Sequence, residues 1–150
     1  MISRAKKRKH QDGMMLLEGL IAILIFSLGI IALVGMQATA VKQVSDAKYR
    51  TDASLLANQL IGMMWVGDRT PATLKTNFDT GGDASGLTDW LATVRSTLPG
   101  ITDDDNQPTV NVTSIGGDSD GTVTITLYWL APSDAGTQEP HKYTTVAQIK

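Results

Sequence analysis

Glu18 is the one charged residue in an apolar run from Met14 to Met36. A charged side chain at the centre of a membrane-spanning helix costs about 2.5–3.5 kcal/mol on insertion scales, so Glu18 needs either an oppositely charged partner or a shallow position that reaches water. The other residues with chemical potential are few. After residue 13 the chain has one histidine, His141, read as part of a loop beside Pro140, and no cysteine. A Ser-His-Asp or Cys-His nucleophile would therefore have to draw on distant partners that no motif announces. Asp103-Asp104-Asp105-Asn106 and Asp118-Ser119-Asp120-Gly121 offer oxygen ligands of the kind calcium takes, yet neither fits the twelve-residue EF-hand loop, and both read as solvated turns. No phosphate-binding glycine loop and no zinc spacing occurs. The expectation is a protein that is not an enzyme and uses no cofactor and no metal.

The segment that positions Glu18 is long. Its 23 residues give a helix of roughly 34 Å, enough to cross the hydrocarbon core of a bilayer. A secretory signal also pairs a cationic leader with an apolar stretch, but its apolar part covers only about 7–15 residues and ends in a small-residue cleavage site. Before Gly13 stand Arg4, Lys6, Lys7, Arg8 and Lys9 against the single acid Asp12. By the positive-inside rule the N-terminus is cytoplasmic and everything after about Gln37 lies across the membrane.

Taken together, the basic run, Gly13, then Met14-Met15-Leu16-Leu17-Glu18 and an uninterrupted apolar helix resemble the class III leader of the type IV pilin superfamily. The resemblance implies that a prepilin peptidase cuts between Gly13 and Met14 and methylates the new amine of Met14. It also makes Glu18 the fifth mature residue, which in that family pairs with the amine of a neighbouring subunit during assembly. Met14 stands where Phe is usual. Within the superfamily, the stretch Glu18 to Gln37, including Gly29, is similar to the start of PilV-type minor pilins, as are Ala53 to Gly62 and a tryptophan late in a Thr/Val strand, Trp129. The resemblance covers the first 66 residues and, loosely, the last strands. Its implied partners are prepilin peptidase, the other minor pilins, the major pilin and the inner-membrane bilayer, with no small-molecule substrate.

Composition fits a small domain outside the cytoplasm. Residues 14–150 hold 8 basic and 14 acidic residues, and an acidic balance of that kind argues against nucleic-acid binding, which calls for a basic patch. Without cysteine no disulfide closes the C-terminal loop that many major pilins staple, and the 114 residues beyond the membrane segment suffice for a core without one.

The remaining elements follow from periodicity. Val41, Val44, Tyr49, Ala53, Leu56, Leu60 and Met63 form an apolar stripe at helical spacing, with Lys42, Asp46, Arg50 and Asp52 between them. One helix is expected from about Met15 to Trp65, with Asp46 and Arg50 as a solvated i,i+4 pair. Gly19, Gly29 and Gly35 fall within the apolar part, where two readings stand side by side: small residues that let neighbouring helices approach closely, or glycine simply being common in membrane helices. Asp68 to Gly86 reads as loop with short structure around Leu74 to Phe78, and Thr88 is placed to cap a short helix whose apolar face is Trp90, Leu91, Val94 and Leu98. Three strands are expected at Thr109–Ile115, Thr122–Leu130 and Lys142–Ile149, the middle one alternating Val123, Ile125, Leu127 and Trp129 against Thr124, Thr126 and Tyr128. The expected fold is α+β, pilin-like, a long N-terminal helix packed on a small antiparallel sheet. Its parts are a leader (1–13), a membrane and assembly helix (14–36) and a periplasmic domain (37–150). That domain divides into a helical continuation (37–66), a loop region with a short helix (67–108) and the sheet (109–150).

Function is then expected to be structural: a minor pilin, held in the bacterial inner membrane and then incorporated in a type IV pilus, that primes or modifies assembly and so affects twitching motility, adhesion or DNA uptake. The alternative is a minor pseudopilin of a type II secretion system, which shares leader, Glu and helix. A more distant reading is a single-pass membrane protein whose outer domain binds a ligand.

Overall fold

A computed structural model describes residues 12–102, 105–114, 121–134, 136 and 139–150. Most of the expected leader, the first two aspartates of the 103–106 turn and residues 118–120 of the second acidic turn therefore lie outside the described residues. Helix α1 runs unbroken over Asp12–Val66, three residues earlier at its start than the apolar pattern predicts. No proline occurs before Pro71, so every backbone N–H in the interior of α1 can reach its i−4 carbonyl.

The chain divides into two compact units, residues 1–41 and 42–150. In the first, the described side chains from Gly13 to Val41 are all exposed. Its hydroxyls are satisfied within the helix, Ser27 donating to the Ile23 carbonyl and Thr39 to that of Gly35, which removes the cost of placing them in lipid. This helix is long and apolar enough to cross a membrane.

The second unit is an α+β domain. After the remainder of α1 come α2 (Pro71–Phe78), a 3₁₀ turn (Ser85–Leu87), α3 (Thr88–Thr97) and strands β1 (Thr109–Ser114), β2 (Gly121–Trp129) and β3 (His141–Ile149). The strands form an antiparallel meander in the order β1-β2-β3. Val110, Val112, Val123, Ile125, Leu127, Trp129 and Ile149 turn one face of it inward onto Ala53, Leu56, Ala57, Leu60 and Met64 of α1. The stripe on α1 is thus shorter than its periodicity suggests: Val41 and Val44 are exposed, Tyr49 is the first half-buried member, and Met64 replaces Met63 as its last. Helical spacing from Leu60 reaches 63 and 64 equally, and only contact with the rest of the core decides between them.

Between helix and sheet lies more structure than a loop. Pro71 at the first helical position presets φ for α2, and the Asp68 carboxylate holds the approach to it by accepting the Thr70 N–H at 2.9 Å and the Thr73 hydroxyl at 3.1 Å. These bonds, the Thr70 N–H first, hold the Asp68 carboxyl below its usual range. Leu74 then anchors α2 in the core. At α3 the residue before the helix is Leu87, and Thr88 begins the helix without capping it; its hydroxyl turns back to the Ser85 carbonyl at 3.4 Å. The expected apolar face holds, with Trp90, Val94 and Leu98 buried and Leu91 half-buried. The Trp90 indole donates to the Leu56 carbonyl at 2.9 Å inside the core, fixing α3 to α1 through a polar contact as well as an apolar one. Gly100, at φ +78°, follows α3 where a Cβ would stand 2.6 Å from that of Leu130, so only glycine lets the Pro99 carbonyl accept the Leu130 N–H at 2.9 Å.

Leu60 lies fully buried at the middle of the stripe. Leu60→Ala is expected to destabilise the domain by about 2–5 kcal/mol, and Val44→Ala by less than about 0.5 kcal/mol, measured by denaturant unfolding of the detergent-solubilised chain.

Candidate functional site

Gly13, Met14 and Glu18 occupy the first turns of α1, and all three are exposed. Met14 and Glu18 are four residues apart, so they share one helix face. No described residue forms an ion pair with Glu18. The carboxylate is thus presented outward on an apolar surface, available to a cation from outside the chain. Gly19, Gly29 and Gly35 are open as well, since a Cβ added at any of them meets nothing within 4 Å.

A second polar constellation escapes inspection of the sequence. At the start of the second unit Lys42 and Asp46, one turn apart on α1, face the end of β2, the 3₁₀ turn Pro132–Asp134 and the start of β3. Asp134 is 1% exposed, the one buried charged residue among those described. It accepts the Lys42 ammonium at 2.8 Å and stands 3.2 Å from His141 Nε2. The other imidazole nitrogen, Nδ1, lies 3.6 Å from the Asp46 carboxylate, which also accepts the Trp129 indole N–H at 3.2 Å. The His141 and Trp129 rings stack with centroids 5.8 Å apart and planes inclined by 14°. Trp129 and His141 are register partners in the sheet, and this fixes both rings side by side.

The hydrogen bond from Lys42, reinforced by that from His141, holds the Asp134 carboxyl below the usual range although burial opposes ionisation. A buried carboxylate is tolerated only when paired in this way. The arrangement joins four elements, and the Ser133 hydroxyl donates to Asp134 at 3.4 Å beside it. Among the described residues no group of three His, Cys, Asp or Glu side chains is placed to hold a metal ion.

Two expectations are corrected here. Asp46 does not serve as a solvated partner of Arg50 but as the acceptor for Trp129 and His141, because the end of the sheet reaches α1 at that turn. His141 is the first residue of β3 instead of part of the preceding loop. Lys42 and Asp134 lie far apart in the chain, so no local pattern announces their pairing; the only available hint was a lysine and an aspartate at i,i+4 just after the apolar run. A groove of about 410 Å³ between α2 and β1, lined by Pro71, Lys75, Asn111, Thr113 and Ser114 among others, has no acid, histidine or cysteine in its walls among the described residues.

Comparison with protein-family models, with curated proteins and with solved structures gave no match.

Because the folded-state pKa of Asp134 is depressed, the stability it contributes is complete above the ordinary carboxylate range, around pH 4, and is lost as pH falls through the folded value. The unfolding midpoint is expected to drop on acidification from about pH 5 to about pH 3, and Asp134→Asn to flatten that dependence, leaving the share due to Asp68. Lys42→Met, which leaves Asp134 without its first partner, should lower the midpoint at neutral pH more than Lys48→Met does.

Proposed function

We propose that this chain is a minor pilin: a non-enzymatic subunit cut by prepilin peptidase between Gly13 and Met14, anchored once in the bacterial inner membrane, and incorporated in a type IV pilus. The observation that carries this reading is the junction itself, a basic leader ending at Gly13 with Glu18 four residues beyond Met14 in an otherwise apolar helix. Support also comes from the continuation of that helix to Val66 and the packing of its second half on a small antiparallel sheet, the architecture the pilin resemblance implies.

In this mechanism the leader is an address. Its cations hold the N-terminus in the cytoplasm, where Gly13, lacking a side chain, admits the peptidase to the following bond. Cleavage frees a cationic amine at Met14, and methylation leaves it charged. In lipid an exposed Glu18 carries a desolvation penalty that the amine of a neighbouring subunit offsets, so the pair acts chiefly to set register between adjacent helices. The acidic globular domain is periplasmic, and its contacts with other minor pilins and the major pilin prime or modify the fibre. The similarity of Glu18–Gln37 and Ala53–Gly62 to PilV-type minor pilins favours the pilus over the type II secretion pseudopilus.

Mass analysis of the membrane-extracted protein from its host should find a chain beginning at methylated Met14; one beginning at Met1 or Ile2 would overturn the assignment. Replacing Gly13 with a bulkier residue should strand the full-length precursor in the membrane. Glu18→Val should be processed and inserted yet be missing from sheared pili, and its normal incorporation would refute the pairing.

A further inference from the structure

No apolar side chain between Lys42 and Lys48 of α1 is buried. Val44 and Ala47 are exposed, and the stripe begins beyond them, at Tyr49 and Ala53. What joins this stretch to the end of the sheet is polar: Lys42 to Asp134, and Asp46 to Trp129 and His141. The attachment of about two helical turns therefore depends on charge.

The charges meet at the imidazole. Asp134, from the 3₁₀ turn, stands 3.2 Å from His141 Nε2, and Asp46, from α1, stands 3.6 Å from Nδ1. Lys42, also on α1, pairs with Asp134, and β2 presents the uncharged ring of Trp129, stacked on the imidazole. A neutral imidazole has one N–H and one lone pair, so it donates to one carboxylate and turns the lone pair toward the other; an imidazolium donates to both. With His141 charged, two cations answer two anions, and without its proton one carboxylate is left over. Burial decides which one gives way. Asp134 is 1% exposed and keeps Lys42 at 2.8 Å, whereas the Asp46 side chain is 43% exposed.

We propose that the cluster is a pH-sensitive latch: protonated His141 holds Asp46 against the end of the sheet, and on losing its proton it lets the Asp46 carboxylate swing out to water. The Asp46 turn of α1 is then loosened from the strands while the stripe from Ala53 to Met64 stays packed. Arg50, exposed and one turn further along α1, meets the released carboxylate on the solvent side, and water follows to the Trp129 indole N–H. Among side chains in their ordinary ranges, imidazole is the one whose charge changes between about pH 5 and 8. Asp134 remains ionised across that interval, since the Lys42 hydrogen bond, reinforced by that from His141, holds its carboxyl below the usual range. The latch is closed at the acid end of the interval and open at the alkaline end, opposite in sign to the loss of stability that protonation of Asp134 brings at lower pH. The inference is independent of the pilin reading and fails or stands without it.

Two indoles make the test internal. Trp129 donates to Asp46, and Trp90 donates to the Leu56 carbonyl inside the core, so their N–H resonances report latch and fold separately. The full-length chain, isotopically labelled at the tryptophan nitrogens and solubilised in detergent, is titrated by nuclear magnetic resonance from about pH 5 to about pH 8, the interval in which imidazole changes charge. Trp65→Phe and Trp129→Phe assign the three indole signals. As pH rises, the Trp129 resonance is expected to move through one transition, several-fold further than that of Trp90. His141→Gln should abolish the transition. Asp46→Asn, whose amide oxygen still accepts the indole N–H but carries no charge for an imidazolium to hold, should cut its amplitude several-fold; an indole that merely senses the stacked ring would titrate with its amplitude unchanged. The Trp90 resonance at its parent position shows that either variant keeps the fold. An unmoved Trp129 resonance, a transition shared equally by Trp90, one that survives His141→Gln, or an amplitude indifferent to Asp46→Asn would overturn the proposal.

Discussion

Residues 42–150 depend on one constraint: a helix with a single apolar stripe must be covered on that stripe and nowhere else. Ala53, Leu56, Ala57, Leu60 and Met64 supply it. The two alanines matter as much as the larger side chains, because a methyl at positions 53 and 57 lets neighbouring elements come close to the α1 backbone. That closeness puts the Trp90 indole within hydrogen-bonding distance of the Leu56 carbonyl, a backbone atom that a bulkier stripe would screen. The sheet completes the cover with every second residue of β2, and the remaining residues of that strand, three of them threonine, are left half-buried on the opposite face.

Two carboxylates on this chain illustrate opposite solutions to the same electrostatic problem. Asp134 is withdrawn from water and answered inside the fold, by an ammonium and an imidazole carried on different elements. Glu18 stands on an apolar surface with no described partner. The first is a closed circuit that joins strand ends to a helix; the second is an unmet demand, which only another molecule or the aqueous boundary can satisfy. A charge answered internally fixes a fold, and a charge left unanswered in an apolar run fixes what the fold must meet.

The elements legible in the sequence were those whose signal is local. Alternation of Val and Thr over 122–129 encodes burial residue by residue, the proline-free stretch through residue 66 lets one helix run on, and the helix and all three strands stand within a few residues of where the pattern puts them. The part that was not legible depends on distance. α2 was legible only in its second half, as short structure around Leu74 to Phe78, because its stabilisation comes from Asp68 reaching Thr70 and Thr73 and from one buried leucine, too little to produce a periodic pattern in eight residues. The end of the stripe, Met64 instead of Met63, was decided by the core. The cluster of Lys42, Asp46, Trp129, Asp134 and His141 contains contacts between residues up to 95 positions apart, and no window of sequence contains it.

The order of the meander also bears on how the protein is made. Synthesis runs from the N-terminus, so the stripe of α1 is complete before any residue of the sheet exists, and the strands that cover it are the last to appear. Ile149, fully buried, closes the core from β3, the last of the three strands. From Met64 to Ile149 the apolar face of that helix stays uncovered during translation, and the nascent chain is exposed to chaperones and proteases until β3 is made.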